Sequence, residues 1–208
     1  MKTKIVSKLY LQKLSSSLVY KFAGETLRPL AEILSLRLTD FSNQDDTHAR
    51  LLQSVLWKLL DKDKEKSEDV GINPFIVSGV VPKRVKKKRD GKPDPMGDFK
   101  EFMQSLPALE AEFLNTLNVA LADPDLCEKT APILYLEELK VIGEDRLLIL
   151  GLYNRQTLDG RLFSNVSPSS WSCLSCGRTV GKQKIAPELC PCCGAPQSMF
   201  KQGGWGLW

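Results

Sequence analysis

The chain has 208 residues, 42% hydrophobic and 26% charged, with a formal net charge of +4. These values fit a soluble globular protein of one large domain, or a medium domain with an appendage, whose core needs no disulfide support. No run of about 18 apolar residues is present, which argues against a transmembrane helix.

Residues 1–62 read as helical. Ile5, Leu9, Leu14, Leu18, Val19 and Phe22 recur every three to four positions, and after Gly24 a second stripe runs through Leu27, Leu30, Ile33, Leu34 and Leu38. A third helix is predicted over Leu51, Leu52, Val55, Leu56, Leu59 and Leu60, with Asp45, Asp46 or Thr47 capping its first turn. Lys8, Gln12 and Lys13 interrupt the first pattern, so it is not a secretory leader. The expectation is an intracellular, cytoplasmic protein, nuclear if eukaryotic, with no membrane partner.

Residues 61–69 alternate in sign, and 75–81 form a short β-branched run read as a strand. Between Lys83 and Lys92 stand seven basic residues and one acid, so the positive surplus of the chain is local. Lys83, Arg84, Lys86, Lys87, Lys88 and Arg89 form a phosphate-binding arm in this reading, without sequence specificity. A nuclear targeting signal and a plain solvated loop are the alternatives.

A helix is expected from about Asp98, with a new one starting at Pro107 and running to Asp123-Pro124. Ile133–Leu136, Arg146–Tyr153 and Arg161–Val166 read as a β-meander, with turns at Gly143–Asp145 and Asp159-Gly160. The fold class expected is α+β: a helical region over 1–70, a strand and basic loop over 71–97, helix and meander over 98–170, and a cysteine module over 171–208.

Five of the six cysteines fall within residues 173–193, while Cys127 stands alone as a small apolar residue. Cys173-Leu-Ser-Cys176-Gly177 and Cys190-Pro-Cys-Cys193-Gly194 are two C-x-x-C-G turns, separated so that four thiolates can close around one ion. A glycine after each second cysteine suits a turn with unusual dihedrals. Cys192 competes with Cys193 as fourth ligand. Disulfides and an iron–sulfur cluster are the other readings of the set. Residues 171–197 resemble a zinc ribbon, which implies one structural Zn²⁺ on Cys173, Cys176, Cys190 and Cys193 and a stabilisation on the order of 10 kcal/mol. Residues 1–170 match no family in this reading.

Arg178, Lys182 and Lys184 give the module a weak basic face, a second candidate contact for DNA or RNA. Trp205 and Trp208 end the chain among glycines; they cover the module, dock a partner subunit, or stack on bases. The lone histidine, His48, reads as a capping or surface group, and no nucleotide-binding or hydrolase motif is present. No catalytic residue and no small-molecule substrate are assigned, although dispersed acids such as Glu137 and Asp159 leave a metal-dependent nuclease open. The expectation is a non-catalytic nucleic-acid-binding subunit of a larger nucleoprotein complex, for example an RNA-guided defence complex reading a short duplex element. The alternative is a protein–protein adaptor with a purely structural zinc.

Overall fold

The structure is a computed structural model describing residues 2–28, 31–62, 95–127 and 130–203. Four long helices dominate it: α1 (Lys2–Leu27), α2 (Glu32–Lys62), α3 (Pro95–Leu121) and α5 (Thr130–Leu158), with a short α4 (Pro124–Cys127) before the last. Each has 26–31 residues, a rod of roughly 40–45 Å. α1 packs on α2, α3 on α5, and α1 against α3. None of these helices is long and apolar enough to cross a membrane.

The buried positions follow a coiled-coil rhythm. In α1 the series Val6, Leu9, Lys13, Ser16, Tyr20, Ala23 and Leu27 alternates steps of three and four, with Ser7, Ser17 and Val19 buried beside it. α5 does the same through Leu136, Leu139, Arg146, Leu150, Tyr153 and Thr157, with Gly143 filling the gap in the series. Burying one such seam per helix yields a bundle with two apolar layers. Tyr20, Leu34, Phe41, Leu106 and Leu150 lie in one, and Leu9, Leu52, Phe113, Leu117 and Leu139 in the other. α1 and α2 approach closely where small residues meet. The Ser42 hydroxyl donates to the Ser17 carbonyl at 2.8 Å, and a Cβ on Gly24 would lie 3.1 Å from the Ser35 carbonyl oxygen.

After Gly160, whose φ of 66° turns the chain, comes a three-stranded antiparallel sheet in the order β2-β1-β3. Its strands are β1 (Ser164–Cys173), β2 (Thr179–Ile185) and β3 (Phe200–Gln202). Trp171 and Phe200 are buried between the two cysteine turns, and Phe163 packs against both this small core and the bundle.

Mostly helical with a small sheet, the protein is α+β in a coarse sense, and several local expectations change. The region 25–38 is divided between α1 and α2, because Gly24 lies inside α1 as a contact point rather than a break. Asp45, Asp46 and Thr47 lie mid-helix in α2 and cap nothing. α3 runs through Pro107, held by Met103, Leu106 and Leu109 packing on either side of it. The meander expected over Ile133–Tyr153 is helix α5. Only the end of its third run, from Ser164, is strand. The strand expected over 75–81, the basic arm Lys83–Arg89, Trp205 and Trp208 lie outside the described residues.

Candidate metal centre and a buried ionic centre

Each cysteine turn is built the same way. The Cys173 amide donates to the Arg178 carbonyl at 2.9 Å and the Gly177 amide donates back to the Cys173 carbonyl at 2.9 Å. In the second turn Cys190 donates to Ala195 at 2.7 Å and Gly194 to Cys190 at 2.9 Å. Gly177 and Gly194 both have positive φ, 73° and 71°, a region where a Cβ is disfavoured. The turns are thus two copies of one knuckle, facing each other across the strands.

They bring four sulfurs together. The Sγ atoms of Cys173 and Cys193 are 3.8 Å apart, those of Cys176 and Cys190 3.7 Å, and all four lie within 4.8 Å of one another. A regular tetrahedron with bonds of about 2.3 Å to sulfur has edges of about 3.8 Å. Cys173 and Cys190 are buried, whereas Cys176 and Cys193 face solvent. The amides of Cys193 and Cys192 point at the Cys190 sulfur and lower its pKa to about 6. Cys176, despite the Arg178 amide, is pushed up to about 12 by desolvation and the other three sulfurs, so the first thiolate of the cluster forms at Cys190. Cys192 is exposed and outside the tetrad. Arg178, Lys182 and Lys184 lie exposed on the first knuckle and β2, with no acidic partner close enough for an ion pair among the described residues.

A second constellation carries no local sequence motif. Midway along the bundle each long helix contributes one ionic side chain: Lys13 from α1, Asp45 from α2, Glu110 from α3 and Arg146 from α5, none more than 2% exposed. The Lys13 ammonium lies 3.1 Å from both the Asp45 Oδ1 and the Glu110 Oε1 atoms, and 3.8 Å from the Phe113 ring centroid. The Arg146 guanidinium donates to Asp45 and, at 2.8 Å, to the Gln44 Oε1, while its centre lies 4.8 Å from the Phe41 ring centroid. Ser16 donates to the Asp45 Oδ2 and Tyr20 donates to the Glu110 Oε2 at 2.8 Å. His48, one turn along α2, has its Nδ1 3.9 Å from the Asp45 Oδ1, too far for a hydrogen bond.

Burial works against the charged form of Asp45. The Lys13 and Arg146 cations and the Ser16 hydroxyl, with the more distant His48, more than reverse it and hold the carboxyl well below the usual carboxylate range. Burial likewise opposes the charged form of Arg146, and Asp45 and Glu110 more than restore it. The Tyr20 phenol is raised by burial and by Glu110, so it remains a donor. His48, expected as a surface or capping group, instead borders this centre. The one sequence signal for the centre is a charged residue at the middle of each helix seam.

No family model matches the chain. A rubrerythrin from Porphyromonas gingivalis is 40% identical over 43 residues, covering 21% of this chain and 21% of that protein. The match thus spans about a fifth of that relative's length. Crystal structures of two PmFTN variants, soaked in iron for 5 min and for 3 h, superpose with a TM-score of 0.50 at 14% identity. Each covers 76% of this chain and 89% of the other. At that identity the likeness is one of fold, a ferritin-like bundle.

Two expectations are corrected by these neighbours. Zinc is the expectation for the four cysteines because a closed tetrathiolate is common to zinc ribbons. Geometry alone does not separate zinc from iron in such a cage, and the neighbours are a rubrerythrin and PmFTN structures soaked in iron, so the assignment to zinc is not kept. The non-catalytic reading is not kept either, because the chain's neighbours are a rubrerythrin and PmFTN variants soaked in iron.

Proposed function

We propose that this protein is a redox protein in which Cys173, Cys176, Cys190 and Cys193 hold a single iron on a ferritin-like scaffold. The observation that supports it best is the four-sulfur cage, two of whose edges are 3.7 and 3.8 Å and all of whose sulfurs lie within 4.8 Å of one another, in a chain whose neighbours are a rubrerythrin and iron-soaked ferritins. Iron held by four thiolates supplies one-electron chemistry.

The rest is the work of the chain. Two knuckles pinned by paired backbone hydrogen bonds keep four sulfurs in place with little rearrangement. Trp171 and Phe200, both 1% exposed, keep water from the inner side, while Cys176 and Cys193 leave an outer side where a donor or acceptor can approach. Close to the module, Leu174, Phe200 and Lys201 face Arg37, Asp40 and Tyr153 across a cleft of about 100 Å³ between sheet and bundle. In this reading the protein is an oxidoreductase that passes single electrons.

Refolding the chain anaerobically with ferrous iron and then admitting air tests the proposal. One iron per chain, with a visible thiolate-to-ferric absorption that dithionite bleaches reversibly, is the expected result. A chain that takes up iron without that absorption, or gives no reversible couple in voltammetry, would refute it. The nucleic-acid contact stands second. It rests on the exposed charge of Arg178, Lys182 and Lys184 and on a basic arm outside the described residues.

A further inference from the structure

Ferritin-like di-iron bundles carry a Glu on each of two helices and a Glu-x-x-His on each of the other two, all pointing inward. In this bundle α2 offers Asp45-x-x-His48 and α3 offers Glu110, but α1 brings Lys13, and α5 brings Gly143-x-x-Arg146. The four side chains that meet at the centre are thus two acids and two bases. Among the described residues, the four cysteines form the one group of three or more side chains that could hold a metal ion. The bundle centre does not fit a pair of iron ions.

We infer that Lys13 and Arg146 stand in for the metal ions of a di-iron bundle, making its centre a permanently charge-compensated site that takes no iron. Every carboxylate oxygen already has a protein donor. The Asp45 Oδ1 takes Lys13 and Arg146, its Oδ2 takes Ser16, the Glu110 Oε1 takes Lys13, and its Oε2 takes Tyr20. Two negative and two positive groups sum to zero, so an added divalent ion would bring a buried charge with nothing to balance it. Gly143 reinforces the point. A Cβ there would lie 2.8 Å from the Leu114 Cδ2 and 3.3 Å from the Glu110 Oε1, so the helices have closed over the space a ligand would need. Access is not the obstacle. A cavity of about 280 Å³ between α1 and α3 reaches Ser16 and Glu110.

The inference is independent of the metal at the cysteines, and the test keeps the two apart. The full chain and Cys190→Ser, Glu110→Gln and Lys13→Ala variants are titrated anaerobically with ferrous iron, and their melting is followed with and without Mn²⁺. Manganese is a hard ion that prefers carboxylates to thiolates. Expected are one iron per chain, lost in Cys190→Ser and kept in Glu110→Gln, and a wild-type Tm that Mn²⁺ leaves within about 1 °C. Lys13→Ala should melt roughly 10 °C lower, and Mn²⁺ should recover at least half of that by entering beside Asp45, Glu110 and His48. Additional irons that survive in Cys190→Ser and vanish in Glu110→Gln would overturn the inference, as would a folded Lys13→Ala blind to Mn²⁺. If Lys13→Ala does not fold, Lys13→Met takes its place, and the wild-type iron count decides if neither does. Failure of the tetrathiolate proposal would appear only in the cysteine-dependent iron.

Discussion

Asp45 gathers more of the bundle's charge than any other residue. It has no exposed surface, and it accepts from Lys13, Arg146 and Ser16 on two neighbouring helices. Asp45→Asn would leave two buried cations facing one carboxylate, an imbalance that costs about 3–5 kcal/mol. The same residue predicts an acid limb. Its folded pKa lies below the unfolded value, so its contribution is complete above about pH 4 and drains away as pH falls towards the folded pKa. Urea midpoints read from helix ellipticity should therefore drop below pH 4 in the wild type and drop less steeply in Asp45→Asn. Equal slopes would mean that Asp45 is not the group being titrated. At the knuckles, Gly177→Ala and Gly194→Ala force a Cβ into positive φ and should each cost about 1 kcal/mol. The loss should show as weaker metal retention against a chelator series.

At the scale of elements, legibility depends on how clean each pattern is. The cysteine knuckles are legible because ligand spacing and the following glycine are local properties of the sequence. The bundle is half legible. α1 looks apolar along Leu14, Leu18 and Phe22, yet Leu18 and Phe22 are exposed, and the true seam passes through Lys13 and Ser16. Polar residues at seam positions hide the period. α5 reads as strands because apolar residues stand on its outer face as well as its inner one, with Leu134, Val141 and Leu148 exposed opposite Leu136, Leu139 and Leu150. Its seam carries Gly143 and Arg146, the two residues that look least like core. The metal identity is not legible at all, since four thiolates at this spacing suit zinc and iron alike. Two glycines test the helix packing. Gly24→Val should lose roughly 1–3 kcal/mol, because its first carbon already meets the Ser35 carbonyl and Thr39 hydroxyl at 3.1 Å. A Cβ on Gly151, within α5, would meet nothing within 4 Å, so Gly151→Ala should gain about 0.5–1 kcal/mol. Denaturant midpoints shifted in opposite directions for the two would confirm these packing assignments.

The whole molecule joins two bodies that are stabilised in different ways. The bundle rests on two apolar layers and a self-neutralised ionic centre, none of which needs an ion. The cysteine module has a small core of Trp171, Ala186 and Phe200, too little to fold on its own without a bound metal. They meet through Phe163, which packs on both cores, and the Ala186 amide donates to the Phe163 carbonyl at 2.9 Å. Stripping the metal with a strong chelator should therefore unfold one body and spare the other. In hydrogen exchange, amides of residues 164–203 should lose protection, while those of α1, α2, α3 and α5 keep it and far-UV helicity falls by less than about a tenth. Phe163→Ala should leave that pattern intact while lowering the bundle's own stability slightly, since Phe163 only borders its core. Loss of protection across the helices on chelation would instead mean that the module's metal also holds the bundle together, and the two-body account would fail.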